Sequence, residues 1–191
     1  MLVAVCTHAN ERKTLLDYGW RFLQGDGNEQ CSKPDFDDSK WRVLDLPHDW
    51  SIEGAPKADE PAGNDAGYRP TGKGWYRKVI TLSKQDFNKD GKIAKRWSLY
   101  FEGVYMNAEV FVNGKPVGSH RGGYEAFTLD ITHVLQENNL LCICCFDDLE
   151  DQSYPYGKQV LPQKRGGMWY TPVSGIWQTV WLESVPEHYI Q

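Results

Sequence analysis

Apolar and polar residues alternate along most of this chain with the period of β-strands, and no stretch keeps the 3.6-residue period of a long helix. The first clear segment is 18–23, where Tyr18, Trp20 and Phe22 fall on one face of a predicted strand. The segment 31–40 reads as a loop with one helical turn, begun by Pro34 and favoured by Asp35, Asp37 and Asp38 in its first turn. A strand follows at 41–46. From Pro47 to Lys73 the chain is rich in Pro, Gly, Asp and Ala without an apolar period, the mark of a long surface loop, and such loops are usually functional or mobile. Strands are predicted at 75–82 and 97–102, separated by a turn at 88–92. The strand 108–112 runs into Asn113-Gly114, a strong hairpin signal that should fix the register with 115–118. Further strands are expected at 126–131, at the apolar run 140–146 and at 176–182, with a short helical turn at 132–135. About eight or nine short strands with almost no helix define an all-β protein, a two-sheet sandwich or jelly roll. No repeat or heptad is visible.

Composition narrows the function. The 191 residues suit one domain with a real core, and 13% are aromatic, including 8 Trp and 10 Tyr. The formal charge of -5 comes without a basic stripe, so nucleic acid is not an expected partner. No apolar run approaches the length that spans a bilayer. Of 5 Cys, three lie in Cys142-Ile143-Cys144-Cys145, where strand geometry puts Cys142 and Cys144 on one face and Cys145 on the other. They read as small core residues and lack the spaced pairs of a zinc site. Residues 1–14 read as a leader. Leu2 to Cys6 is apolar and Thr7-His8-Ala9 resembles a cleavage site, so the segment is either the remnant of a secretory signal, placing the protein in the periplasm or outside the cell, or an ordinary leader that leaves the cytoplasm open.

Catalysis by this chain alone is not expected. A glycosidase needs two carboxylates flanking one bond. The acidic run Asp147-Asp148 with Glu150-Asp151 reads as a solvated loop tip, and the Asn-Glu pairs at 10–11 and 28–29 lie outside strand ends. Neither a nucleophile elbow nor a zinc-protease motif occurs, and no metal or other cofactor is implied. Binding has better support. Sugars present a C–H face and a hydroxyl rim, so a site needs an aromatic plate beside directional polar groups. Two loops offer both: His48-Asp49-Trp50 leading to Arg69, and Lys164 to Tyr170 with Arg165, Trp169 and Tyr170. A Trp beside His-Asp is more often a core plug whose polar neighbours cap loop backbone. Gly166-Gly167 would leave Trp169 and Tyr170 unshielded. In Arg121-Gly122-Gly123-Tyr124-Glu125 the glycines permit a positive-φ turn, and Tyr124 either stacks on a ligand or packs on the sheet, the latter being the reading adopted. Trp20, Trp41, Trp75, Trp97, Trp177 and Trp181 fall on predicted strands as core or sheet-face residues.

Four segments together carry a family resemblance: Leu46-Pro47-His48-Asp49-Trp50-Ser51-Ile52-Glu53; Gly74-Trp75-Tyr76-Arg77-Lys78; Asn107 to Gly114 with Gly122-Gly123-Tyr124-Glu125-Ala126-Phe127; and Gly166 to Glu183. The chain resembles, from about residue 15 to 185, the N-terminal sugar-binding domain of family 2 glycoside hydrolases, the β-galactosidases and β-glucuronidases. The resemblance implies a galactose-binding-domain-like jelly roll at 15–185, with 186–191 as the start of a linker to an immunoglobulin-like domain and a (β/α)₈ barrel that holds the catalytic glutamates. In the family, an acidic side chain a few residues before the Ser/Ala-Gly-Ile step helps line the sugar pocket. Here that step is Ser174-Gly175-Ile176, and 161–172 contains no acid, which leaves Arg165, Trp169 and Tyr170 as pocket contacts. The implied partners are a β-galactoside or related glycoside and the downstream domains. Three roles are weighed: a non-catalytic wall of an active site, a self-sufficient carbohydrate-binding module, and a purely structural or oligomerisation domain.

Overall fold

The computed structural model describes residues 12–25, 27–55, 57, 59, 69–147, 170–187 and 189. Among these, ten strands form two antiparallel sheets packed face to face. The strands are β1 (Lys13–Leu15), β2 (Trp20–Gln24), β3 (Arg42–Leu44), β4 (Gly72–Thr81), β5 (Arg96–Phe101), β6 (Asn107–Val112), β7 (Lys115–Arg121), β8 (Phe127–Asp130), β9 (Asn138–Asp147) and β10 (Val180–Val185). One sheet runs β1-β10-β5-β8 and the other β3-β2-β4-β9-β6-β7. The all-β sandwich expected from the alternation is what the chain builds.

The inner faces follow the period of two. Trp20 and Phe22 from β2, Tyr76 and Ile80 from β4, Val110 and Val112 from β6, and Leu141, Ile143 and Cys145 from β9 meet Trp97, Leu99 and Phe101 from β5 and Val180 and Leu182 from β10. Each such side chain contributes about 1.5–3 kcal/mol by leaving water. The six-stranded sheet is covered on its other face as well, where Cys31, Trp41, Trp75, Cys142 and Cys144 make a second cluster beneath residues 27–41. Buried Arg77 pins that cover: its Nε donates to Asp38 Oδ2 at 2.7 Å, and its Nη atoms donate to the carbonyls of Cys31, Lys33 and Phe36. This double burial explains the apolar run of β9. The thiols split as the strand period requires, Cys142 and Cys144 outward and Cys145 inward, all buried. Burial pushes the first two up to about 12.

Several expectations shift. Tyr18 lies outside β2 and is 65% exposed, because Gly19 takes φ +73° and breaks the alternation. The helical turn lies at Glu29–Ser32, capped by Asn28 and not begun by Pro34. Lys13 and Thr14 belong to β1, whereas the rest of the expected leader, 1–11, lies outside the described residues apart from Arg12. Asp147 ends β9 and is 2% exposed, so it is no loop tip, while 148–151 lie outside the described residues. The final strand starts at Val180, not at Ile176. The 113–114 hairpin forms as read, with φ 54° and 76° as its turn requires, but β7 carries a bulge at Val117.

Candidate functional site

One end of the sandwich gathers the loops that follow β3, β5, β7 and β9. Gly175 forms a bridge with Tyr105, the amide of Gly122 donates to the Met106 carbonyl, and that of Gln178 donates to Gly103. The His48 amide donates to the Ile176 carbonyl at 2.8 Å, joining the 47–53 loop to the same knot. Gly175 has φ +95°, and a Cβ there would lie 2.9 Å from the Trp50 ring and nearer still to the Tyr76 hydroxyl. The Ser-Gly-Ile step is therefore glycine for both conformation and space.

His48 sits 8% exposed between two layers. Its Nδ1 is 2.7 Å from the Tyr76 hydroxyl and its Nε2 is 3.0 Å from Glu53 Oε1, while Arg42 Nη2 donates to Glu53 Oε2 at 2.8 Å. The Ile176 amide donates to the Tyr76 oxygen. One proton arrangement satisfies the chain: Tyr76 donates to Nδ1, and Nε2–H donates to Glu53. Burial holds the His48 imidazolium below the ordinary histidine range, against the pull of Glu53. Partial burial raises Glu53, but its bonds to Arg42 and His48 outweigh this and leave it lowered.

Asp49 caps the 3-10 turn Trp50–Ile52. Its Oδ1 accepts from the Ser51 amide at 2.9 Å, from the Ser51 hydroxyl at 2.6 Å and from the Ser174 amide at 3.0 Å. No such bond reaches Oδ2, which keeps no partner among the described residues. Burial raises Asp49 despite these bonds. Beside it opens a hollow of about 260 Å³ lined by Pro47, His48, Asp49, Ile52, Val173 and Trp177. A second hollow of about 320 Å³, at Lys84, Phe87, Gly91 and Glu137, shares none of these residues.

The residues singled out from sequence separate here. His48 and Asp49 line the hollow. Trp50 is 1% exposed, stacked on Phe22 at 5.9 Å, and offers no open ring face. Arg69 donates to the Gly54 carbonyl, and Tyr170 is 69% exposed. Arg165 and Trp169 lie outside the described residues. Sequence reasoning missed Trp177, Tyr76, Glu53 and Arg42. Trp177 is in no strand; its Nε1 donates to the Gly123 carbonyl at 2.8 Å and its ring meets half-exposed Tyr124 edge-on at 5.8 Å. Tyr124 also meets Tyr105, so it packs on loop aromatics and not on the sheet itself. Glu53 and Tyr76 were visible only as members of the segments that carry the family resemblance.

The sequence profile of the glycosyl hydrolases family 2, sugar binding domain, matches residues 16–186. The chain belongs to this family, as its sugar-binding domain. It is 42% identical over 165 residues to β-galactosidase BoGH2A of Bacteroides ovatus, covering 85% of this chain and 17% of that protein. It is 32% identical over 141 residues to a β-glucuronidase of Bacteroides fragilis, covering 71% and 16%. Among solved structures, a β-glycosidase from Bacteroides vulgatus superposes with a TM-score of 0.73 at 34% identity, over 91% of this chain and 20% of that one. The chain thus spans about a fifth or less of the length of these relatives.

Proposed function

We propose that this domain forms one wall of the sugar pocket of a family 2 glycosidase acting on β-galactosides or related β-glycosides, and supplies no catalytic group. The observation that carries the reading is the hollow lined by Asp49, Ile52 and Trp177, in which the Asp49 carboxylate commits only Oδ1 to loop groups. A pyranose can lay C–H groups against the indole and the isoleucine while a hydroxyl donates to the carboxylate. Tyr170, Arg165 and Trp169 are the further contacts this reading assigns. Neighbouring carboxylates serve the fold: Glu53 is held by Arg42 and His48, and Asp147 by the Ser174 hydroxyl. The names of the relatives support a β-galactoside or β-glucuronide as the glycoside.

The test uses the 191-residue chain with 4-nitrophenyl β-galactoside and β-glucuronide, and with galactose and glucuronate titrated against tryptophan fluorescence. The expected result is no turnover and no saturable response. Saturable quenching abolished by Trp169→Ala would make the domain a self-sufficient binding module, and turnover would overturn the reading. In a full-length enzyme carrying this domain, Asp49→Asn turns the uncommitted acceptor into a donor while keeping the loop oxygen. KM should rise about tenfold; an unchanged KM would remove Asp49 from the pocket.

A further inference from the structure

The polar chain behind the hollow has a property that sugar binding does not require. It runs from the Ile176 amide through the Tyr76 hydroxyl and the His48 ring to Glu53 and Arg42, and every member has a fixed donor or acceptor role. It also joins four separate pieces of the chain: Arg42 from β3, Tyr76 from β4, the loop 47–53, and Ile176 from the segment before β10. We infer that these residues form a proton-operated latch, which fastens the 47–53 loop to the sandwich while His48 is neutral and releases it when His48 takes up a second ring proton.

The reason lies in the Tyr76 hydroxyl. With His48 neutral, that oxygen accepts from Ile176 and its hydrogen goes to Nδ1, 2.7 Å away. Once Nδ1 carries a proton, two donors face each other across that distance. The hydroxyl would have to turn its hydrogen elsewhere, yet Tyr76 is 0% exposed, its ring packs on Phe22 and Trp20, and the Gly175 backbone beside its oxygen has a carbonyl that already accepts from the Tyr105 and Trp177 amides. A buried donor without an acceptor costs about 1–3 kcal/mol. The groups facing His48 are divided. Glu53 and Asp49 in its own loop favour the charged ring; Arg42 from β3 opposes it, Phe22 from β2 packs edge-on at 4.5 Å without charge, and Tyr76 from β4 blocks the second proton. Glu53 gains from a charged partner but is already neutralised by Arg42. The balance falls to the neutral ring at neutral pH. Below it, relief comes from moving the loop that carries Pro47, His48, Asp49 and Ile52, four of the residues lining the hollow. The latch stands on this geometry whether or not the hollow takes sugar.

The experiment follows the His48 Hε1 resonance of the whole chain against pH, with amide exchange of His48, which donates to Ile176, and of Ser174, which donates to Asp49. His48 should titrate below the ordinary imidazole midpoint. Over the same interval, protection of the two amides, corrected for intrinsic rate, should fall about tenfold while that of Ile143 in β9 holds. Glu53→Gln should move the midpoint further down, and Tyr76→Phe should move it up. Protection that stays constant through the His48 titration overturns the latch, as does a midpoint at the ordinary value. The wild-type titration decides the matter alone if a variant fails to fold.

Discussion

Gly175 shows how closely single positions are specified at the loop end. It needs positive φ and has no room for a methyl group against Trp50 and Tyr76, so Gly175→Ala should lower stability by about 3 kcal/mol in urea unfolding. An effect near zero would mean that the loops repack freely. Individual residues at this end were only partly legible in the sequence. His48 and Asp49 stand out because a polar pair beside a tryptophan must find partners, but those partners cannot be read locally: Tyr76 is 28 residues from His48, and Ser174 is 125 from Asp49. Trp177 was taken for a strand residue because alternation of character continues through 176–182, whereas the backbone there turns at Gly175 and pairs only from Val180.

Strands were more legible than turns. β4, β5, β6 and β9 lie where the period places them, since an inner face that must be apolar leaves a mark on every second residue. The short elements carry no such mark. β3 pairs over only three residues, and the turn at Glu29–Ser32 is set by an Asn28 cap and by Arg77, 46 residues from its Cys31 partner. That arginine is the keystone of the cover over Trp75. Arg77→Met removes donors from three carbonyls and the buried partner of Asp38, which retains Arg21 at 3.3 Å. The expected loss is about 3 kcal/mol. Thiol reagents should then reach Cys142 and Cys144 under native conditions before Cys145, which faces the other way. Equal and simultaneous labelling of all three would show that the cover and the sandwich open as one.

At the scale of the whole molecule, acid should weaken the fold. His48 is lowered, so its neutral form adds stability that is present above the unfolded value near 6.5 and declines as pH falls. Glu53 and Asp130 are lowered too, and their contributions are lost below unfolded values of 4.5 and 3.8. Asp49 is raised and works the other way, adding stability only on the acid side. With Asp37 lowered as well by its bonds to Ser39, four groups against one predict a urea midpoint that declines from neutral pH to about pH 4, with the first part of the decline abolished in His48→Gln. A flat profile would contradict the arrangement around His48. The strand order, unlike the strands, could not be read from sequence, because pairing β9 between β4 and β6 depends on contacts far apart in the chain.

The outermost strand of the larger sheet has a consequence for crowded solutions. β7 places Pro116, which has no amide hydrogen, beside the offset at Val117. A foreign strand approaching that rim would find the ladder of donors interrupted and its spacing out of step, so it could not extend the sheet in register. A missing donor and a bulge at two adjacent residues thus disfavour extension of the sheet on this side.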